Sequence, residues 1–133
     1  MAAQIDDNSR ALLEGKNFAH VATLREDGTV QVTVVWVDVE DGKVALNSAE
    51  GRAWPANLRR DPRVTIAVAN AENFYEYTEI RGRVVEDTHD GADEHIDALA
   101  KKYMDADTYP FRQEGEQRVI FRIEPERVRY YGQ

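Results

Sequence analysis

Residues 17–48 read NFAHVATLREDGTVQVTVVWVDVEDGKVALNS, and this stretch decides the fold. From Asn17 to Arg25 the side chains alternate, with Phe18, His20, Ala22 and Leu24 on one face and Ala19, Val21 and Thr23 on the other. A period of two is the signature of a β-strand. Glu26-Asp27-Gly28 breaks the pattern, and Val30 to Val39 resumes it, with Val30, Val32, Val34 and Trp36 opposite Gln31, Thr33, Val35 and Val37. Glu40-Asp41-Gly42 repeats the break before a third strand, Lys43 to Ser48. Asp-Gly pairs provide the positive φ that a tight hairpin needs, so the stretch predicts an antiparallel meander.

Outward from the meander, strands are expected at Val64–Ala69, Phe74–Glu86, Gln117–Glu124 and Arg127–Tyr131. The length of Phe74–Glu86 calls for a bend, and Gly82 is the place for it. Three helices punctuate the sheet. One is capped by Asn8 and ends at Gly15, and one covers Arg52 to Arg60 with Pro55 in its first turn. The third opens at Asp90-Gly91-Ala92-Asp93 with the apolar stripe Ala92, Ile96, Leu99, Ala100 and Tyr103, and with Lys101 and Lys102 at its negative end. Asp105–Glu116 reads as a loop. The expected architecture is mainly β with short helices, a six- to seven-stranded antiparallel barrel or sandwich forming a single domain over 1–133. Several strands are apolar on both faces, so a homodimer is expected to cover the outer one.

The chain has 133 residues, 25 Asp and Glu against 17 Lys and Arg, a net charge of −8 and no cysteine. Such an acidic chain repels phosphate backbones, so nucleic acid is not an expected partner. Disulfides, thiolate metal sites and a cysteine nucleophile are excluded. No apolar run approaches the roughly 20 residues of a membrane helix. A cytoplasmic protein without a membrane partner is the resulting expectation.

Charge is unevenly distributed. Residues 51–63, GRAWPANLRRDPR, hold Arg52, Arg59, Arg60 and Arg63 against Asp61 alone. A basic island where a loop enters a helix is a candidate anion site, with Asn47, Ser48 and the amides near Gly51 and Arg52 as donors. The alternative is an exposed helix whose arginines pair with surface acids. Residues 86–97, EDTHDGADEHID, hold two histidines among acids, but their spacing matches no metal-ligand motif and reads as a solvated helix start; no metal site is expected. His20 reads as a structural residue. No nucleophile elbow, Walker loop or dinucleotide fingerprint is present. Trp36, Trp54, Phe74, Tyr75, Tyr77, Tyr109 and Phe111 could line a slot for a planar phosphorylated ligand, or fill core and interface. Tyr75 and Tyr77 share a strand face with Arg81 and Arg83, as in a lined cleft.

Three blocks carry a family resemblance. Residues 18–24, FAHVATL, followed by Asp27-Gly28 and a valine-rich strand, resemble the opening of the pyridoxamine-phosphate-oxidase-like split β-barrel family. Residues 57–64, NLRRDPRV, resemble that family's central block. Glu79-Ile80-Arg81-Gly82, Lys101-Lys102-Tyr103 and residues 123–128, IEPERV, resemble the flavin/deazaflavin oxidoreductase branch that uses coenzyme F420. The resemblance implies a dimeric split barrel with two cofactor sites at the subunit interface. It places the coenzyme phosphate near Asn47, Ser48, Arg52 and Asn57, with Ala53 and Trp54 beside them. It puts Gln31 and Thr33 in the ring pocket, and Tyr75 and Tyr77 of the partner subunit against it. Many members carry a lysine two positions after the arginine; here Trp54 stands there, which removes a charge-assisted contact of about 1.5–3 kcal/mol.

The implied function is an oxidoreductase that uses reduced F420 to deliver hydride to a small electron-poor acceptor. An FMN-binding oxidase or flavin reductase of the same fold is one alternative. A non-enzymatic flavin- or deazaflavin-binding protein is the other.

Overall fold

The computed structural model describes residues 2–132. Seven strands, β1 (Ala19–Leu24), β2 (Val30–Val35), β3 (Asp38–Glu40), β4 (Lys43–Ala49), β5 (Arg63–Asn70), β6 (Asn73–Thr88) and β7 (Arg118–Tyr131), form one antiparallel sheet in the order β2-β1-β5-β6-β7-β4-β3. The helices are α1 (Asp7–Glu14), α2 (Ala53–Arg60) and α3 (Ala92–Met104).

The two edge strands, β2 and β3, are consecutive in the chain, and only Trp36 and Val37 separate them. The three Cα–Cα steps from Val35 to Asp38 reach at most about 11 Å. Strands at opposite edges of a seven-stranded sheet can be that close only if the sheet curls until its edges meet, which makes it a split barrel. The expected continuous strand Val30–Val39 is therefore broken in two, because its halves belong to opposite edges. Inside the barrel lie Val21, Leu46, Ile66, Ile80, Phe121 and Ile123, all at 0 % exposure, with Trp54 and Leu58 of α2 packed among them.

At the break the backbone has no ladder partner, and α3 provides substitutes. Tyr103 Oη accepts the Val37 N–H at 3.2 Å and donates to the Asn17 carbonyl at 2.6 Å. Lys102 Nζ donates to the carbonyls of Val37 and Leu13, each at 2.7 Å. Lys102 lies in the last turn of α3, as expected, but it is half-buried, and burial holds its pKa below the ordinary lysine value.

The hairpins follow their turn chemistry. Asp41 and Gly42 both have positive φ (50° and 76°), as does Gly28 (87°), whose turn is clasped by Asp27 Oδ1 accepting from the Thr29 N–H and hydroxyl. The register of β6 against β7 shifts between Arg81 and Gly82, opposite Pro125. A Cβ at Gly82 would overlap the Glu124 carbonyl. A proline fits at such a bulge because no ladder N–H is required there, so the two expected strands Gln117–Glu124 and Arg127–Tyr131 join into the single bent β7. The cap of α1 also differs from expectation: Asp6, not Asn8, accepts from the Ser9 N–H at 3.0 Å.

Replacing Tyr103 by Phe leaves the Val37 N–H unpaired and is expected to cost about 1–3 kcal/mol in denaturant unfolding. Burial pushes the Tyr103 phenol up to about 12 from 10.0. Its stabilisation is then complete below the unfolded value and is lost as the pH rises through about 12. That alkaline loss is expected to shrink in Tyr103→Phe, and an unchanged pH profile would contradict the stitching role.

Candidate functional site

A cavity of about 360 Å³ opens beside the seam. Phe18, Val34, Val35 and Trp36 line it from the β1–β2 side, and Ile96 and Leu99 from α3. Asn47 comes from β4, Arg118 from the start of β7, Arg52 from the entry of α2, and Tyr109 and Phe111 from the loop after α3. That loop is pinned rather than loose. The Tyr109 N–H donates to Asp97 Oδ1 at 2.8 Å, and Arg112 bridges Asp93 and Asp97 at 2.9 Å each. The aromatic wall is continuous: Trp36 stacks on Tyr103 (5.2 Å, 5°), and Tyr109 meets both Trp36 and Phe111 edge-on. A second, more polar cavity of about 420 Å³ shares Arg52, Tyr109 and Phe111 with the first and is bordered by Glu50 and residues 113–116.

Of the four arginines in the basic island, three are committed. Arg59 grips the Glu50 carboxylate at 2.6 and 2.8 Å and Asp87 at 2.7 Å. With His89 it holds the Glu50 carboxyl at about 2. Arg60 donates to the Leu24 carbonyl and to Asn57 Oδ1, and Arg63 pairs with Asp61 at 2.7 Å. Arg52 is exposed, caps α2 without a side-chain hydrogen bond, and has no ion pair among the described residues. Of the island's four arginines it is the one without a side-chain partner among the described residues.

The other expected site residues divide. Asn47 joins Arg52 in the cavity. Asn57 is buried and bonds Thr23 Oγ1 at 3.0 Å and Gln31 Oε1 at 2.9 Å, which ties α2 to β1 and β2. Thr33 lies one alternation further along β2, partly buried. Ala53, the first residue of α2, is exposed. Ser48 is fully buried with its hydroxyl unpartnered, and Trp54, 3 % exposed, packs its ring on Phe121 at 5.7 Å. Both side chains thus lie in the interior rather than in the cavity wall. Tyr75, 77 % exposed, and Tyr77, stacked on Tyr131 at 4.6 Å, lie outside this chain's own cavity.

Arg118 was missed by the sequence reading. Its side chain is nearly sealed from solvent; Nε donates to Asn47 Oδ1 at 2.9 Å, Nη1 pairs with Glu116 at 3.1 Å, and the guanidinium sits over the Tyr109 ring at 5.1 Å. The only sequence signal is an arginine directly before the apolar run Val119-Ile120-Phe121 at the start of the strand. Asn47 is fully occupied on its donor side, giving one amide hydrogen to the Ala92 carbonyl and facing His95 Nδ1 with the other, both at 3.0 Å. Because Arg118 can only donate, the orientation of the Asn47 amide is assigned, and Nδ1 of His95 must accept. The His95 proton therefore sits on Nε2, which faces Glu40 Oε1 at 3.8 Å.

His95 was expected on a solvated face; it is 8 % exposed and turned into the sheet. Asp38, Glu40 and His95 bring ligand-type atoms within 4.8 Å of one another. With its proton on Nε2, the ring presents a donor to the two carboxylates rather than a lone pair to a metal. His20, expected to be a satisfied structural residue, is exposed.

Residues 5–132 match the profile of pyridoxamine 5'-phosphate oxidase. The chain belongs to that family. Among solved structures, an F420 reductase is similar at 26 % identity and a TM-score of 0.83, covering 94 % of this chain and 98 % of the other. A conserved hypothetical protein from Mycobacterium tuberculosis (21 % identity, TM-score 0.70, covering 98 % and 86 %) shares the family fold. A putative pyridoxamine 5'-phosphate oxidase from Listeria innocua (18 %, 0.68, 90 % and 92 %) shares it too. No helix among the described residues is long and apolar enough to cross a membrane.

Burial holds the His95 pKa below 6.5, against the pull of Glu40 and Asp38 on β3 and with the push of Arg122 and Arg118 on β7. As the pH falls below 6.5 the unfolded chain takes up the proton first, so stability is complete above that value and declines below it. His95→Gln keeps an acceptor for Asn47 but cannot titrate. It is expected to flatten the acid side of the thermal-stability profile, and an identical acid slope would refute the neutral, buried state of His95.

Proposed function

We propose that the chain is an oxidoreductase that uses reduced coenzyme F420 to reduce a small electron-poor acceptor. The observation that carries this reading is the likeness over 94 % of the chain to an F420 reductase, joined to an uncommitted arginine at the mouth of an aromatic cavity. The residues present fit a phosphorylated planar cofactor. Arg52 and the first-turn amides of α2 form a cationic end, and α2 has no side-chain cap competing for those amides. When bound, a deazaflavin supplies a two-electron hydride. On this chain, Arg52 and the α2 amides bind an anion, the wall of Trp36, Tyr109 and Phe111 limits water, and Asn47 orients Arg118.

In this reading the active form is a homodimer. Val30, Val32 and Val34 are 54 %, 61 % and 56 % exposed, a row of apolar side chains on one edge of the sheet. Beside them the register aligns small residues, Ala22 with Thr65, and then Arg81 with Arg127, on the same outer face. Tyr75 and Tyr77 lie at the far end of β6, from which they would reach a partner's cavity. A monomer mass in sedimentation at micromolar concentration would sink this shared-site arrangement; a dimer mass is expected.

FMN is the second reading, favoured by Trp54. With its ring in the core, the first turn of α2 has Arg52 alone as a phosphate-binding cation. Separate titrations with F420 and FMN distinguish the two, F420 being expected to bind at micromolar or tighter concentration and FMN weakly. Binding to neither would mean that the coenzyme site has been lost. Arg52→Ala is expected to weaken F420 binding about tenfold or more. Unchanged affinity in a folded variant would show that the phosphate lies elsewhere.

A further inference from the structure

We propose that Arg118 makes the 360 Å³ cavity a subsite for a small planar carboxylate, the acceptor itself rather than the coenzyme. That the carboxylate is the acceptor rests on the function proposed above; that the cavity binds a carboxylate does not. A guanidinium has five N–H donors and no acceptor. In Arg118, Nε is spent on Asn47 and Nη1 on Glu116, while Nη2 has no partner among the described residues. Nη2 is not sealed, since the fully buried unpartnered side-chain atoms among the described residues are Glu40 Oε1, Ser48 Oγ and His95 Nε2, so its donors stay open to a ligand. Arg118 is 4 % exposed and lines the cavity, so the space those donors can reach is the cavity.

The side chain cannot swing away. Asn47 fixes Nε and is itself locked by the Ala92 carbonyl and His95, while Tyr109 lies against the guanidinium plane. Asn47 and His95 are positioning residues here, because they hold the arginine and need not touch the ligand. Charge also favours an anion, since Arg118 and Arg52 stand on the wall and no carboxylate among the described residues lines it; in the adjoining cavity Glu116 is paired with Arg118 and Glu50 with Arg59. Planarity follows from the walls, where Trp36, Tyr109, Phe111 and Phe18 offer flat apolar surface. The volume lies at the small end of the about 300–1,000 Å³ typical of ligand pockets, which suits a compact conjugated acid better than a tailed coenzyme.

Calorimetric titration of the full chain, without coenzyme, with trans-cinnamate and with cinnamamide tests this directly, since the probes differ only at the terminal group. The acid is expected to bind about tenfold tighter or more than the amide. Arg118→Gln is expected to abolish that preference while leaving amide affinity nearly unchanged, and Arg118→Lys to keep part of it. Equal affinities for acid and amide in the unmodified protein, no detectable binding of either, or a preference that survives in Arg118→Gln would each overturn the proposal. The unmodified protein alone decides the matter if the variants fail to fold. F420 titration of Arg118→Gln separates the two readings, with coenzyme affinity expected to stay within a fewfold of the unmodified protein. A loss as large as that of Arg52→Ala would assign Arg118 to the coenzyme and overturn the acceptor subsite. Failure of F420 to bind the unmodified protein would fall on the proposed function and leave the acid-over-amide comparison standing.

Discussion

Two residues, Trp36 and Val37, join strands that lie at opposite edges of the sheet, and the rest of the molecule follows from that short tether. The sheet must curl until β2 and β3 meet, yet those edges do not pair with one another in the ladder. Edge groups left open inside a protein are costly. The chain resolves this with α3, whose Lys102 and Tyr103 bond Val37 while reaching Leu13 and Asn17. Helix, seam and the turn after α1 are thereby fastened at one point.

The same point builds the site. Trp36, forced to the surface of the seam, stacks on Tyr103 and becomes one wall of the cavity. The loop that follows α3 is pulled back by Asp97 and Arg112, which brings Tyr109 and Phe111 over the opening. From the other side, Asn47 links α3 to Arg118 through the Ala92 carbonyl, so the buried guanidinium is positioned by the helix that closes the barrel. The cavity wall and barrel closure thus share α3, and a change that loosens the seam is expected to disturb both.

Much of the fold was legible because its signals are local. Alternation around Asp27-Gly28 and Asp41-Gly42 required antiparallel hairpins, and Gly82 marked the bend of β6. The break at Trp36–Val37 was not legible, since alternation runs straight through it and only the pairing of distant edges interrupts it. Pro125 misled for the opposite reason, as a bulge opposite Gly82 lets β7 continue past it. Within the site, the basic island was visible as composition, and Arg63 has its partner Asp61 close by in sequence, but the commitment of Arg59 was decided by Glu50 and Asp87, which only the fold brings to it. Arg118 and His95 were hidden because a charge on a strand or helix reads as solvated until its partners are known.

The central claim is that a coenzyme's anionic end lies at Arg52 and the first turn of α2, beside the seam. Backbone and indole NMR shifts followed during titration with F420 test it most directly. The account predicts the largest changes at the amides of Arg52 and Ala53, with the Trp36 indole moving in the same concentration range. Saturating shifts centred elsewhere, with those three signals still, would contradict it.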